Sequence, residues 1–283
     1  MRLSATTAGS HARRLIEAAE PGTVIAVFPR SLYIRDRAGR IACFGGPGLG
    51  AGPLNALCAA WPNSVSVPAN VDAHWQSGVL HLGETLELDC TTTTTWQPAQ
   101  PRTWQRSAFS TSLIRLAALP ARGLGLAIPT LVAQAPLPAG DRFQIAAFRG
   151  LLALALWLRE PSSPPPAAIA TLIGLGPGLT PAGDDALGGA LIAARLFDRA
   201  DIADRLSEWV LLRARAGTSD ISYAHLAAAA EGEGAAALHD TLMALGEDSD
   251  TFKDGVARLD RIGHSSGWDA LAGAVAALTS IGG

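Results

Sequence analysis

The sequence predicts an α+β protein with a small β-rich domain, barrel- or sandwich-like, over residues 1–100 and an all-helical domain over residues 101–283. Two observations predict this division. Short β-prone runs separated by turn residues fill the chain up to about residue 95, and such strands close naturally into a barrel or sandwich. After Pro101, longer segments carry apolar residues at helical spacing. Hydrophobic residues make up 48% of the 283, enough to bury a real core.

In the first hundred residues, one short amphipathic helix is predicted at 10–19. A second helix is predicted from Leu54 to Trp61. Strands are predicted at 23–28, 31–35, 41–44, 64–67 and 79–88. The five threonines at 91–95 fit either a strand or a linker. The expected β-rich domain therefore has short strands and tight turns.

In the second part, helices are predicted at 103–119, ending before Pro120, and at 141–160. The run Pro-Ser-Ser-Pro-Pro-Pro at 161–166 breaks the second helix. Everything after this run is predicted to be helices joined by short loops.

One loop needs a specific backbone conformation more than any other part of the chain. Its sequence is Gly-Leu-Gly-Pro-Gly-Leu-Thr-Pro-Ala-Gly-Asp-Asp, at 174–185. Thr180 is predicted to cap a helix that has Pro181 at its first position. Asp184 and Asp185 then fall in the first turn, where carboxylates complement the helix dipole. Small residues recur every four positions along this helix and predict the close approach of a neighbouring helix; they are Ala182, Ala186, Ala190 and Ala194.

Two later loops have a similar design. Gly217 is predicted to close one helix, and Thr218 or Ser219 to cap the next. The segment 263–269 precedes the last helix, and Ser266 and Asp269 have the spacing of a capping box. For Asp269 we favour this structural role.

We expect the three helix starts to converge on one polar pocket for a small anionic molecule. The candidate catalytic residues are Asp184, Asp185 and His264, whose imidazole can act as acid, base or donor near neutral pH. The candidate substrate-binding residues are Gly176, Gly178, Thr180, Ala182, Gly183, Thr218, Ser219, Ser265 and Ser266. Because two acids repel a bare phosphate, we expect Mg²⁺ held by Asp184 and Asp185, or a nearby arginine, to offset them.

Composition argues against other partners and compartments. A net charge of −3 disfavours nucleic acid or an anionic membrane as the main partner. The three cysteines are widely spaced, which argues against a zinc site and suggests a reducing compartment. Met1 to Glu20 lacks the apolar core of a secretory signal, and the longest apolar run is far too short to span a membrane. We therefore expect a cytoplasmic protein.

The loop at 174–185, with Thr218-Ser219 and Gly263-His264-Ser265-Ser266-Gly267, resembles the bacterial family that holds the H subunit of oxamate carbamoyltransferase from allantoin catabolism. Order and spacing match over the C-terminal half. The sequence departs from the family pattern at Ala182 and Ser265, where serine and threonine are commoner, and neither change removes a charge. The resemblance implies carbamoyl transfer, in which oxalurate and phosphate exchange with oxamate and carbamoyl phosphate, and it implies companion subunits.

Two alternatives stay open at this point. One is a stand-alone hydrolase or ligase-like enzyme with a metal ion at Asp184 and Asp185. The other is a non-catalytic ligand-binding or assembly subunit whose glycine loops pack against a partner. Turnover by the purified protein without companion subunits would favour the hydrolase, whereas ligand binding without turnover would favour a subunit role.

Overall fold

The structure is a computed structural model that describes residues 1–62, 65, 67–99, 106–161, 164–247 and 249–281. The chain divides into two compact units, Met1–Pro98 and Ala99–Gly283.

The first unit is a β-barrel. In the described residues its strands are β1 Arg2–Gly9, β2 Gly22–Phe28, β3 Ser31–Asp36, β4 Ile41–Gly45, β5 Asn55–Cys58, β6 Asp72–Gln76, β7 Val79–Leu82, β8 Leu86–Asp89 and β9 Thr94–Trp96. They follow the order β5-β4-β3-β2-β6-β7-β8-β1, and a further pairing of β1 with β5 closes the eight strands. β9 adds in parallel to the end of β1. The barrel expected from the sequence is therefore confirmed.

Alternating strand residues fill the barrel interior. Leu32 and Ile34 of β3, Leu80 and Leu82 of β7, and Phe44 of β4 belong to one buried cluster. The helix α1, Ser10–Ala18, adds its own apolar face to this cluster. The amphipathic helix predicted at 10–19 is thus confirmed, because its apolar positions cover the barrel core.

Several details of the barrel differ from the prediction, and the strand β6 was not among the predicted strands. The segment predicted as a helix from Leu54 is the strand β5, because its backbone pairs with β4 and β1 and this pairing overrides the local pattern. β1 has only small residues at its buried positions and gives no strand signal. The predicted strand 79–88 is two strands, which turn at Gly83 with φ of 55°. The strand predicted at 64–67 lies partly outside the described residues.

The second unit is helical in its described residues. The helices are α2 Arg106–Ala117, α3 Ile128–Ala133, α4 Arg142–Arg159, α5 Ala167–Ala170, α6 Ala182–Leu196, α7 Ala200–Gly217, α8 Asp220–Ala230, α9 Ala236–Gly246, α10 Phe252–Leu259 and α11 Ser266–Ile281. A 3₁₀ turn, Gly123–Ala127, precedes α3. The predicted helix at 141–160 is confirmed and begins with a capping box of Asp141 and Gln144. The helix predicted at 103–119 is present from Arg106, and residues 103–105 lie outside the described part.

The helices α6 and α11 pack against each other at the centre of this unit. A Cβ on Gly189 would lie 1.8 Å from the carbonyl oxygen of Ala270, and one on Gly273 would lie 1.8 Å from that of Ala186. Such backbone contact requires small residues on both helices, as the alanine stripe of α6 predicts. In the described residues, no helix is both long and apolar enough to cross a membrane.

Candidate functional site at three helix starts

Asp184, in the first turn of α6, joins two of the helix starts. Its side chain is buried, with 2% of the residue exposed. The Oδ1 atom accepts the backbone N–H of Gly174 at 2.9 Å. The Oδ2 atom accepts hydrogen bonds from Thr218 Oγ1 at 2.5 Å and from Ser222 Oγ at 2.7 Å. The loop before α6 and the start of α8 are therefore fixed to the same carboxylate.

The loop before α6 approaches the end of α7 more closely than a side chain would allow. Gly174 has φ of 68°, and a Cβ there would lie 2.1 Å from the carbonyl oxygen of Gly217. Its left-handed backbone also directs its N–H to Asp184. The tip of the loop, from Pro177 to Leu179, is exposed.

The start of α6 differs from the prediction for Thr180. The helix begins at Ala182, the cap position is Pro181, and no side chain of the described residues caps it. The carbonyl oxygen of Leu175 instead accepts the N–H of Gly183 at 2.9 Å, so this first-turn donor needs no hydroxyl. Thr180 Oγ1 is free to contact Ser266 Oγ, at 3.2 Å.

The start of α8 agrees with the prediction. Ser219 is the N-cap and accepts the N–H of Ser222 at 3.0 Å. Its own hydroxyl donates to the carbonyl oxygen of Leu179 at 2.6 Å. Ser219 therefore both begins α8 and anchors the exposed tip of the α6 loop.

The start of α11 does not contain the predicted capping box. Ser266 is already the first helical residue. Asp269, 1% exposed, accepts the N–H of Leu124 at 2.6 Å and the hydroxyl of Ser265 at 2.8 Å. The capping box fails because the 3₁₀ turn before α3 brings a backbone donor to this carboxylate. Burial raises the pKa of Asp269, while these two donors lower it.

Asp185 lies between the starts of α6 and α11. Asp185 as a residue is half-buried, but its Oδ2 atom is shielded from solvent and has no hydrogen-bond partner in the described chain. Burial raises the pKa of Asp185 well above its usual value. The Ser266 and Thr180 hydroxyls lower this pKa, whereas the neighbouring carboxylates of Asp269 and Asp184 raise it further.

The three helix starts thus share one group of polar side chains, which we call the polar junction. Its members are Thr180, Asp184, Asp185, Thr218, Ser219, Ser222, Ser265, Ser266 and Asp269. Of the other predicted residues, Ala182 and Gly183 form the first turn of α6, and Gly176 and Gly178 lie in the loop before it. His264 is exposed, and its imidazole lowers the pKa of Asp269.

The residues of the polar junction do not suit the Mg²⁺ ion predicted at Asp184 and Asp185. The carboxylate of Asp184 already accepts three protein donors. Over the described ranges, no group of three or more His, Cys, Asp or Glu residues could hold a metal ion. Mg²⁺ in proteins is commonly held by one or two carboxylates, and among the buried carboxylate oxygens of the described residues only Asp185 Oδ2 lacks a hydrogen-bond partner.

Two cavities lie away from the junction. One, of about 770 Å³, is lined in the barrel unit by residues that include Arg35, Arg37 and His74. The other, of about 600 Å³, is lined by residues of α2, α3, α4 and α11, with the exposed side chains of Ile114 and Leu156 among them. Neither cavity is lined by residues of the polar junction.

Residues 172–278 match the family model described as oxamate carbamoyltransferase subunit AllH. The helical unit resembles AllH. The AllH match includes every residue of the polar junction and leaves the barrel unit unmatched. No curated protein and no solved structure gave a significant match. The AllH match supports the family resemblance seen in the sequence.

Three donors of the polar junction were not predicted from the sequence. Ser222 lies three residues after the cap Ser219, so the spacing along α8 could have indicated it. The backbone N–H of Leu124 leaves no local signal, because it lies 145 residues from Asp269 in the sequence, whereas Gly174 lies in the predicted loop itself, ten residues before Asp184.

Proposed function

We propose that this protein is a subunit of a carbamoyltransferase that acts on oxamate and carbamoyl phosphate, or on oxalurate and phosphate in the reverse direction, at the polar junction. The observation that carries the proposal is the AllH match, which spans the segment where the three helix starts meet. Companion protein subunits complete the enzyme in this proposal, and the cytoplasm is its expected compartment.

The chemistry of the junction suits small anions. The starts of α6, α8 and α11 meet through the hydrogen bonds of the polar junction, and the positive end of a helix dipole attracts carboxylate and phosphate groups. The hydroxyls of Thr180 and Ser266 lie next to each other at two of these ends. The charge of Asp184 is offset by three hydrogen bonds, so it repels an incoming anion less than an unpaired carboxylate would.

The predicted residues have different roles in this proposed function. Asp184 acts as a positioning residue, since its oxygens are used to hold the loop and the start of α8 together. Thr180, Ser266 and the glycines of the loop contact the ligand. His264, on the exposed loop before α11, acts as acid or base toward it.

Calorimetric titration of the purified chain with oxamate and with carbamoyl phosphate tests this function. We expect T180V and S266A to bind oxamate about fivefold more weakly, because each removes one hydroxyl worth about 1 kcal/mol. S110A, on an exposed serine of α2, is the matched control and keeps the wild-type affinity. Equal weakening by S110A, or no binding of either compound, would count against the proposal.

A further inference from the structure

The helices α6 and α11 begin with the same sequence pattern. Both 183–193 and 267–277 read Gly-x-Asp-Ala-Leu-x-Gly-Ala-x-x-Ala. In each, the glycine that opens the pattern is in the first turn, and the aspartate follows two residues later. Asp185 and Asp269 therefore occupy equivalent positions in two copies of one helix start.

The contacts of the two copies are equivalent as well. A Cβ on Gly183 would lie 2.0 Å from the carbonyl oxygen of Leu172, and one on Gly267 would lie 2.1 Å from that of Leu259. The crossing contacts are reciprocal, since the second glycine of each copy meets a backbone carbonyl of the other helix at the same distance. The reciprocal contacts make α6 and α11 equivalent partners in this crossing, and the contact of Thr180 with Ser266 places the two helix starts, with their aspartates, at the same end of it.

The equivalent acids differ in their hydrogen bonds. Asp269 accepts two donors, the N–H of Leu124 and the hydroxyl of Ser265. The neighbouring Asp184 accepts three. Asp185 has one oxygen, Oδ2, that is shielded from solvent and receives no donor from the described residues. Ionised oxygens in such surroundings need donors, whereas a carboxyl O–H needs an acceptor.

We propose that Asp185 carries a proton in the resting protein and that its O–H donates a hydrogen bond to an anionic oxygen of the bound ligand. The charged groups facing it are the carboxylates of Asp184 and Asp269, and the His264 imidazole acts in turn on Asp269. Since closely spaced carboxylates do not all ionise together, the proton stays on the acid with a buried oxygen that receives no donor, although the Ser266 and Thr180 hydroxyls also interact with Asp185. The identity of the ligand rests on the proposed function.

A neutral Asp185 resolves the repulsion expected from two adjacent acids. Of these, Asp184 is offset by its three donors and Asp185 is uncharged, so an anion can enter without a metal ion. Burial raises the pKa of Asp185, and this direction agrees with a protonated, neutral side chain. As the pH rises through this raised pKa, the proton is lost, and a negative charge then faces the ligand.

Infrared difference spectroscopy at neutral pH locates the proton without any ligand. We expect wild type to show the C=O band of a protonated carboxyl and D185N to lack it. D198N is the control and keeps the band, because Asp198 is exposed and its left-handed backbone, with φ of 56°, suits asparagine. Absence of the band in wild type, or its persistence in D185N, would overturn the proposal.

The affinity for oxamate as a function of pH tests the hydrogen bond to the ligand. Over a pH series, we expect the wild-type affinity to fall about tenfold as the pH rises through the raised pKa of Asp185, the effect of roughly one like charge. D185N keeps a neutral donor, so its affinity changes less than about twofold over this range. The same pH dependence in both proteins would contradict the role of Asp185. A band lost in D185N together with no oxamate binding at any pH would contradict the proposed function and still support the proton on Asp185.

Discussion

G189A is expected to lower the free energy of unfolding by about 3 kcal/mol or to prevent folding of the helical unit. The added Cβ would lie 1.8 Å from the carbonyl oxygen of Ala270, a backbone atom of α11 that cannot rotate away. The two helices would have to separate, and the buried apolar residues around their crossing would lose contact. Urea denaturation followed by circular dichroism measures this change.

The residue before it provides the matched control. A Cβ on Gly188 would lie 3.5 Å from the Cβ of Ala229, an ordinary contact. Because alanine favours a helix over glycine by up to about 1 kcal/mol, G188A is expected to be at least as stable as wild type. If G188A and G189A destabilise the protein equally, the backbone crossing of α6 and α11 is not what requires glycine.

D184A is expected to lower the free energy of unfolding by about 3 kcal/mol and to abolish binding of oxamate. The substitution leaves the N–H of Gly174 and the hydroxyls of Thr218 and Ser222 without their buried acceptor, and each such loss costs about 1 kcal/mol or more. Denaturation and calorimetry on the same samples separate the two effects.

Two further variants sharpen the test of Asp184. D184N is expected to be milder than D184A, since its amide oxygen still accepts one donor and its NH₂ can donate to hydroxyl oxygens. S222A removes a single hydrogen bond and should cost about 1 kcal/mol. Wild-type stability of D184A would show that this carboxylate does not hold the loop to α8.

Features set by neighbouring residues could be predicted from the sequence. The N-cap at Ser219 depends on residues within one turn, and its prediction is confirmed. The stripe of small residues on α6 predicted a close helix neighbour, and α11 is that neighbour. The division into short strands and longer helices follows from period and turn residues, which are also local.

Features set by distant parts of the chain could not be predicted from the sequence. The cap predicted at Thr180 is absent because the carbonyl oxygen of Leu175 satisfies the first turn of α6. The capping box at Asp269 is replaced by a donor from Leu124, far away in the sequence. The strand β5 forms because β4 and β1 flank it, although its own residues favour a helix.

We propose above that the starts of α6, α8 and α11 form one site for a small anion. Backbone amide NMR of the protein titrated with oxamate tests it most directly. We expect the amides of residues 178–185, 219–222 and 265–267 to shift together and to give a single dissociation constant. Shifts confined to one helix start, or to the barrel cavity around Arg35 and His74, would contradict it.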